Sequence, residues 1–422
     1  MTDLPLHIFI ALAFIGWFSG IMGAILLVHH RVLIGDVLSH SVLAGASFIF
    51  LIFLEASFPM LISGALISTL LASILIEFIK SKTTLKENVV LGIVLAFMFA
   101  IGIAFLSIAQ KIPSVEKTLL NTLLLGEVSA ILPAEVPFMV IASLFGSMLI
   151  WALYRGWFFT GFDPILGQTQ YISTGLLRKI LLLIVSGGIL LTAYISGVVL
   201  AVGLLIAPAL IGRFFSTRLY SVLLISGLSG AALAVLGGIV SANVEGLSTG
   251  PLIIFSAGLI GLLTILFSPH YGILLHKLKY TLFKWSRGQE NILRAAYKVL
   301  ERKENMSYAF SIEDLKQACD DPPPSWKILL KVLELKGFVK RSEQKWVLTK
   351  EGLEKAKRIT RLHRLLELYL SEIVKIAPER VHSYAESLEH IITPEVEKRL
   401  YELLRDREYD PHKKPVPWNG SG

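Results

Sequence analysis

The stretch ILLLIVSGGILLTAYISGVVLAVGLLIAPALI, from Ile180 to Ile211, runs for 32 residues without a charge. Arg178 and Lys179 precede it, and Arg213 and Arg218 follow. An apolar run of this length belongs in a bilayer. The positive-inside rule puts both basic flanks on the cytoplasmic side, so the chain must go out and come back. As helix it would reach about 48 Å, short of the ~60 Å that two crossings of a ~30 Å hydrocarbon core require. At least one arm is therefore expected to be a half-helix or re-entrant piece, with Gly187, Gly188, Gly197, Gly203 and Pro208 as break points. Broken helices are tolerated only where they line a cavity or are buried in protein, and in transporters they flank the substrate path. A kink in a packed helix is the plainer alternative.

Outward from this stretch the chain keeps the same character on its N-terminal side and loses it on the other. Of 422 residues, 54% are apolar and 17% charged, well away from a soluble average. Further apolar runs lie at His7 to Val28, Ile34 to Leu54, Phe58 to Ile79, Val89 to Ala109, Val136 to Tyr154, Leu219 to Val240 and Pro251 to Phe267. Basic loops at Lys80, Lys82 and Lys86, at Arg155, Arg178 and Lys179, at Arg213 and Arg218, and after Lys277 all fall on the cytoplasmic side. The expectation is about nine membrane segments, some broken or short, with the N-terminus outside and the C-terminus in the cytoplasm. The first run lacks a basic leader and is followed by more spans, so it is expected to be a membrane span and not a cleaved signal peptide. Residues 1–284 hold 24 of the 72 charged side chains and residues 285–422 hold 48. A mainly α fold follows: a polytopic helix bundle over 1–284, then a soluble part dividing at 285–352 and 353–422. The net charge of +8 points only weakly to anionic lipid or nucleic acid, and the single cysteine, Cys319, excludes an internal disulfide and a cysteine metal cluster.

Ionisable groups inside the apolar runs are few and therefore informative. Asp36 and His40, in HHRVLIGDVLSHSVLAG, stand at i, i+4 on one helical face. A carboxylate with an imidazole suits a divalent transition metal, and an interfacial Asp bonded to a neighbouring His is the bland alternative. Glu77 lies beside Lys80 at a span end and reads as a simple ion pair, while Glu127 and Glu245 fall in connections.

These residues become familiar as a set. GDVLSHSVLAG (Gly35 to Gly45), GVVLAVGLLIAPALIGRFF (Gly197 to Phe215) and LSTGPLIIF (Leu247 to Phe255) resemble, in order, three motifs of the permeases of zinc and manganese ABC importers. The resemblance implies a membrane permease that pairs with a second copy or a sister permease. It implies docking of a cytoplasmic ABC ATPase and metal (Mn²⁺, Zn²⁺ or Fe²⁺) delivered by an extracytoplasmic metal-binding protein. It carries the metal pathway onto Asp36 and His40. No G-x-x-x-x-G-K-[ST] loop occurs in the sequence, so ATP hydrolysis is expected in the partner and the chain itself is not an enzyme. By resemblance FDPILGQTQYISTGLL (Phe162 to Leu177) is the coupling helix pressed into that ATPase, with Asp163 at its entry and Gln168, Thr169, Gln170 and Tyr171 where small residues are usual.

The charged tail reads differently. Leu293, Ala296, Tyr297 and Leu300 recur at helical spacing, Ser311 caps a second helix, and Ser325 to Leu335 forms a third. Gly337 to Gly352 alternates and turns like a two-stranded wing with Val339, Trp346 and Leu348 inward. Three helices and a wing make a winged helix-turn-helix, a fold that binds DNA in some proteins and docks other proteins elsewhere. Ser325, Lys327 and Lys331 are the candidate DNA contacts, and lysines mainly hold phosphate. Beyond the wing, His363 and Glu367 stand at i, i+4, and His382, Glu386, Glu389 and His390 share much of one face of another helix. Six such nitrogen and oxygen ligands suit Mn²⁺, Fe²⁺ or Zn²⁺, and a solvated helix face is the alternative.

Residues Gln289 to Trp418 resemble the metal-dependent repressors of the diphtheria-toxin and manganese-regulator family, down to EYDPHKKPVP (Glu408 to Pro417). The resemblance implies helical dimerisation and makes those six residues the ligand positions. It also implies further ligands from the first winged-domain helix, where this sequence has Asn291 and Arg294; Glu290 is expected to be turned away by one position. An arginine cannot ligate a cation and would repel one, so of the two metals that the resemblance implies one is expected to be missing or bound with fewer ligands. The expectation is thus an ATP-driven importer permease of the bacterial inner membrane, with a cytoplasmic metal-sensing domain. The alternative is a membrane-tethered, metal-dependent transcription regulator.

Overall fold

The computed structural model describes residues 5–54, 57–112, 126, 131–162, 174–198, 200–243, 249–319, 321–404, 407, 409–411 and 414–417. The coupling positions Asp163, Gln168, Gln170 and Tyr171, with Glu127 and Glu245, lie outside them. The chain divides into two compact units, Met1–His276 and Lys277–Gly422.

The first unit is a bundle of long apolar helices: α1 (Leu6–Val28), α2 (Val32–Phe53), α3 (Phe58–Lys82), α4 (Glu87–Ala109), α5 (Val136–Ala152), α6 (Tyr154–Phe162), α7 (Thr174–Ser196), α8 (Ala201–Phe215), α9 (Leu219–Asn243) and α10 (Thr249–Phe267). Among the described residues seven are long and apolar enough to cross a membrane; α5 and α6, bent by 60°, give an eighth span, and α8 is a shorter apolar helix. The expected nine segments are matched closely. Large apolar side chains such as Ile67, Met148 and Phe255 are exposed on its outer surface, where lipid tails would cover them.

Close helix contact depends on small residues here, because lipid supplies no hydrophobic drive between spans. Gly16 and Gly20 of α1 meet α9 so tightly that a Cβ on Gly20 would lie 2.0 Å from the Ser226 carbonyl oxygen, and one on Gly16 2.4 Å from that of Gly230. The decisive stretch does break, at Gly197, whose φ of +83° is left-handed and unstrained only without a side chain. The outgoing arm starts earlier than the apolar run suggests: α7 begins at Thr174 and takes Arg178 and Lys179 into its first turns, so it spans 23 residues. Only α8, at 15 residues, is short. Glu77 corrects the simple pairing with Lys80: it meets Arg178, while Lys80 and Arg31 both meet Glu87.

The second unit opens within α11 (Ile273–Arg302), which supplies the first winged-domain helix and is followed by α12 (Ile312–Ala318), α13 (Trp326–Leu335), strands β1 (Val339–Ser342) and β2 (Lys345–Leu348), and α14 (Lys350–Leu368). The strands pair antiparallel with Val339 opposite Leu348, and both side chains are buried as the alternation demands. Ser311 and Asp314 close a capping box at the start of α12. A π-helical turn (Tyr369–Ile373) ends α14, and α15 (Pro378–Leu388) and α16 (Pro394–Leu403) complete the unit. Arg364 of α14 holds Glu301 of α11 through two bonds of 2.9 and 2.6 Å and also donates to the Pro415 carbonyl at 2.5 Å.

Candidate metal centre

Three helices of the second unit converge their polar side chains on one buried cluster. On α14, four residues carry the chain through a little more than one turn, so His363 and Glu367 leave on the same face. α15 begins with Pro378 and projects His382 and Glu386 by the same spacing, and Glu389 and His390 lie in the turn that ends it. From α11 come Glu290 and Arg294.

The tightest group is His363, Glu367 and His382, whose ligand atoms all lie within 4.8 Å of one another. His382 Nδ1 is 2.7 Å from Glu367 Oε1 and 3.2 Å from His363 Nε2, and His363 Nε2 is 3.3 Å from Glu367 Oε1. Ligands around a tetrahedral ion with ~2.1 Å bonds stand about 3.4 Å apart, so two of these three separations already suit a metal. His363 and Glu367 are buried and His382 is partly exposed, which leaves a way in. On its other side His363 Nδ1 faces Glu389 Oε2 at 2.6 Å. A carboxylate behind an imidazole orients the ring, and the far nitrogen ligates an ion in place of a proton. Burial would raise the Glu367 carboxyl, yet the hydrogen bonds from His363 and His382 outweigh it and hold the group below the usual carboxylate range. Burial works on Glu389 in the same direction, and His363 and the Arg294 charge more than reverse it. Both stay ionised, as ligands or their supports must.

The remaining expected ligands are engaged otherwise. Arg294, 2% exposed, donates from Nη1 to Glu389 Oε1 at 2.6 Å and from Nη2 to Glu386 Oε1 at 2.5 Å. Its Nη1 also lies 2.8 Å from His363 Nδ1. Glu290 overturns the sequence-based register, because it reaches His390 Nδ1 at 2.7 Å. Asn291 points instead to Asp321, with Nδ2 3.2 Å from its carbonyl oxygen. Residues 290 and 294 thus share the face toward the cluster, one helical turn apart, and 291 is rotated about 100° away. His390 Nε2 is buried without a hydrogen-bond partner among the described residues. The six predicted side chains are therefore brought together, as two subclusters with an arginine in one of them.

In the first unit Asp36 and His40 do share one side of α2, with His40 Nε2 3.5 Å from Asp36 Oδ1. Ser39 and Ser41 beside them turn back onto their own helix, bonding the carbonyls of Asp36 and Val37. His40 packs edge-on against Phe99 of α4 at 4.9 Å, and its buried Nδ1 has no hydrogen-bond partner among the described residues. An orphaned buried nitrogen calls for an explanation, and an ion or its water is one. Among the described residues no third ligand side chain completes this pair into a cluster. On α13, Lys327 and Lys331 are exposed and Ser325 is the half-buried N-cap, but Ile328 and Leu335 are exposed with them.

Comparison with known proteins matches the first unit and the C-terminal half of the second. The pattern of the iron dependent repressor, metal binding and dimerisation domain matches residues 349–418. A probable metal transport system membrane protein of Chlamydia trachomatis is 28% identical, covering 97% of this chain and 95% of its own length. The manganese transport system membrane protein MntC of Bacillus subtilis is 26% identical over 93% of this chain and 89% of its own. The zinc transport system membrane protein TroC of Treponema pallidum, 29% identical, covers 62% of this chain and 88% of its own. The solved structure of PsaBC from Streptococcus pneumoniae in complex with Fab has the same fold over 64% of this chain and 94% of its own, with a TM-score of 0.56 at 24% identity. The pattern of the ABC 3 transport family matches residues 1–268, every described span of the first unit among them, and the chain belongs to that family.

Proposed function

We propose that the chain is the multi-pass permease subunit of an ATP-driven importer of divalent transition metal ions, and that its second unit senses the same ion from the cytoplasm. The observation that carries the transport reading is the Asp36 and His40 pair on α2, with an orphaned imidazole nitrogen inside the bundle of an ABC 3 family member. The manganese and zinc transport named for the relatives supports Mn²⁺ or Zn²⁺ as cargo, and the ligand chemistry also admits Fe²⁺. A carboxylate and an imidazole lend an ion partial replacement for its water shell inside the membrane. Two ligands hold it weakly enough to release it when the bundle rearranges, which alternating access requires. The drive comes from a partner ABC ATPase at the Phe162 to Leu177 connection, and delivery from an extracytoplasmic binding protein. A second permease copy or sister chain completes the pore.

His363, Glu367 and His382 fit a resident divalent ion and would hold it; once bound, it would cross-link α14 to α15. This chain's residues prepare that step: Glu389 orients His363, and Glu367 stays ionised at neutral pH. The rival reading, a tethered transcription regulator, needs base-reading groups on α13, where Lys327 and Lys331 share the exposed surface with Ile328 and Leu335.

The test is uptake of radioactive Mn²⁺ and Zn²⁺ by cells carrying the chain with its partners. Asp36→Asn and His40→Ala are each expected to lower uptake roughly tenfold or more at unchanged membrane levels. Uptake that survives both substitutions would overturn the Asp36 and His40 pathway, and absence of uptake by the unsubstituted chain with its partners would sink the transport reading.

A further inference from the structure

We infer that Arg294 is a built-in cation in the second of the two metal positions that the repressor likeness implies, so that the second unit takes a single exchangeable ion at His363, Glu367 and His382. This deepens the metal-sensing reading and rests on it.

The donor set around Arg294 is the one a second ion would need. Glu386, Glu389, Glu290 and His390 gather there from α11 and from α15 with the turn that follows it, and Glu389 is buried. Buried carboxylates require a compensating positive charge. The guanidinium provides it through two short bonds, to Glu386 Oε1 and Glu389 Oε1. Both carboxylates belong to the expected ligand set. Glu389 Oε2 is already turned to His363. A divalent ion would have to take these oxygens beside a buried positive charge that no accessible pH removes. His390 Nε2 is the telling remainder: buried, without a hydrogen-bond partner among the described residues, and 3.4 Å from Glu389 Oε1. It stands as a ligand would beside an ion, and the cation present offers it nothing. The family-implied second metal therefore does not fit this chain.

Arg294 is also a positioning residue for the site that remains. It holds Glu389, Glu389 holds His363 Nδ1, and His363 thereby presents Nε2 to Glu367 and His382.

The full-length chain, purified in detergent with Asp36→Asn and His40→Ala to silence the membrane pair, is dialysed against Mn²⁺. Bound ions are counted per chain, and the electron paramagnetic resonance spectrum is recorded. One ion per chain is expected with Arg294 and with Arg294→Lys. Two are expected with Arg294→Met, the second bringing the dipolar broadening of a close ion pair. Two ions per chain with Arg294 in place overturn the inference, as does a folded Arg294→Met chain that still binds one. If Arg294→Met fails to fold without metal, rescue by Mn²⁺ and not by Mg²⁺ supports the inference, and absence of rescue overturns it. Binding of no ion at all, or one indifferent to His363→Ala, instead overturns the metal-sensing reading beneath it.

Discussion

Both ring nitrogens of His363 are engaged, one toward Glu389 and one toward Glu367 and His382. His363→Ala should therefore do more than remove one ligand, because it also takes away the partner that Glu389 Oε2 faces. Calorimetric titration of the purified chain with Mn²⁺ is expected to lose the site in the second unit, an affinity drop of roughly 100-fold or more. A second residue-scale expectation concerns Asp314. The Ser311 backbone N–H, and then its hydroxyl, hold the Asp314 carboxyl below its ordinary value. A depressed carboxyl contributes its stability above the unfolded pKa of about 4 and loses it as pH falls through the lower folded value. Hydrogen exchange at Leu315 and Ala318 should quicken over that acid range, and Asp314→Asn should abolish the change. Ser311→Ala should cost about 1 kcal/mol at neutral pH. Most of the buried polar cluster was legible because i, i+4 spacing fixes a shared face without knowledge of the fold. Glu290 was not: a one-residue error in register turns a helical side chain by about 100°, and nothing in GQENILRA marks which of positions 290 and 291 faces inward.

Helix contacts carry their own test. On α1, Gly20→Ala should destabilise the bundle by about 1–3 kcal/mol, because its Cβ would meet the backbone of Ser226 and neither helix can retreat. Gly92→Ala on α4 has open space around its Cβ and should be neutral or stabilising by up to about 1 kcal/mol. Thermal melts in detergent distinguish the two. At this scale the spans were readable from apolar length, and the break in the long run from its excess over one crossing. Its exact place was not, since four of the five candidate break points were glycines and only the left-handed turn at Gly197 separates them. The early start of α7 was hidden because Arg178 and Lys179 look like loop residues. Arg178 is in fact half-buried and paired with Glu77 of α3.

For the whole molecule, a permease-like bundle and a repressor-like unit on one chain put a pore and a sensor at equal number in the cell. We propose that filling the sensor slows import, a coupling free energy between two sites. Deleting residues 289–422 should then leave uptake running at cytoplasmic metal levels that silence the full chain; equal sensitivity in both would refute the coupling. Sequence alone conveyed the two-part plan through the step in charge density near residue 285. It could not convey which carboxylates an arginine would claim, because that depends on three helices meeting.

Arg294 has one more consequence, for the shape of the response. A chain with two interdependent ion positions can switch on over a narrow range of free metal, each ion easing entry of the next. With one of the two occupied for life by a side chain, filling within each chain follows a simple hyperbola. Passing from one-tenth to nine-tenths full then takes about an 80-fold rise in free ion. Such a tail would act as a dimmer, trimming import gradually across nearly two decades of concentration, where a paired site would act as a toggle.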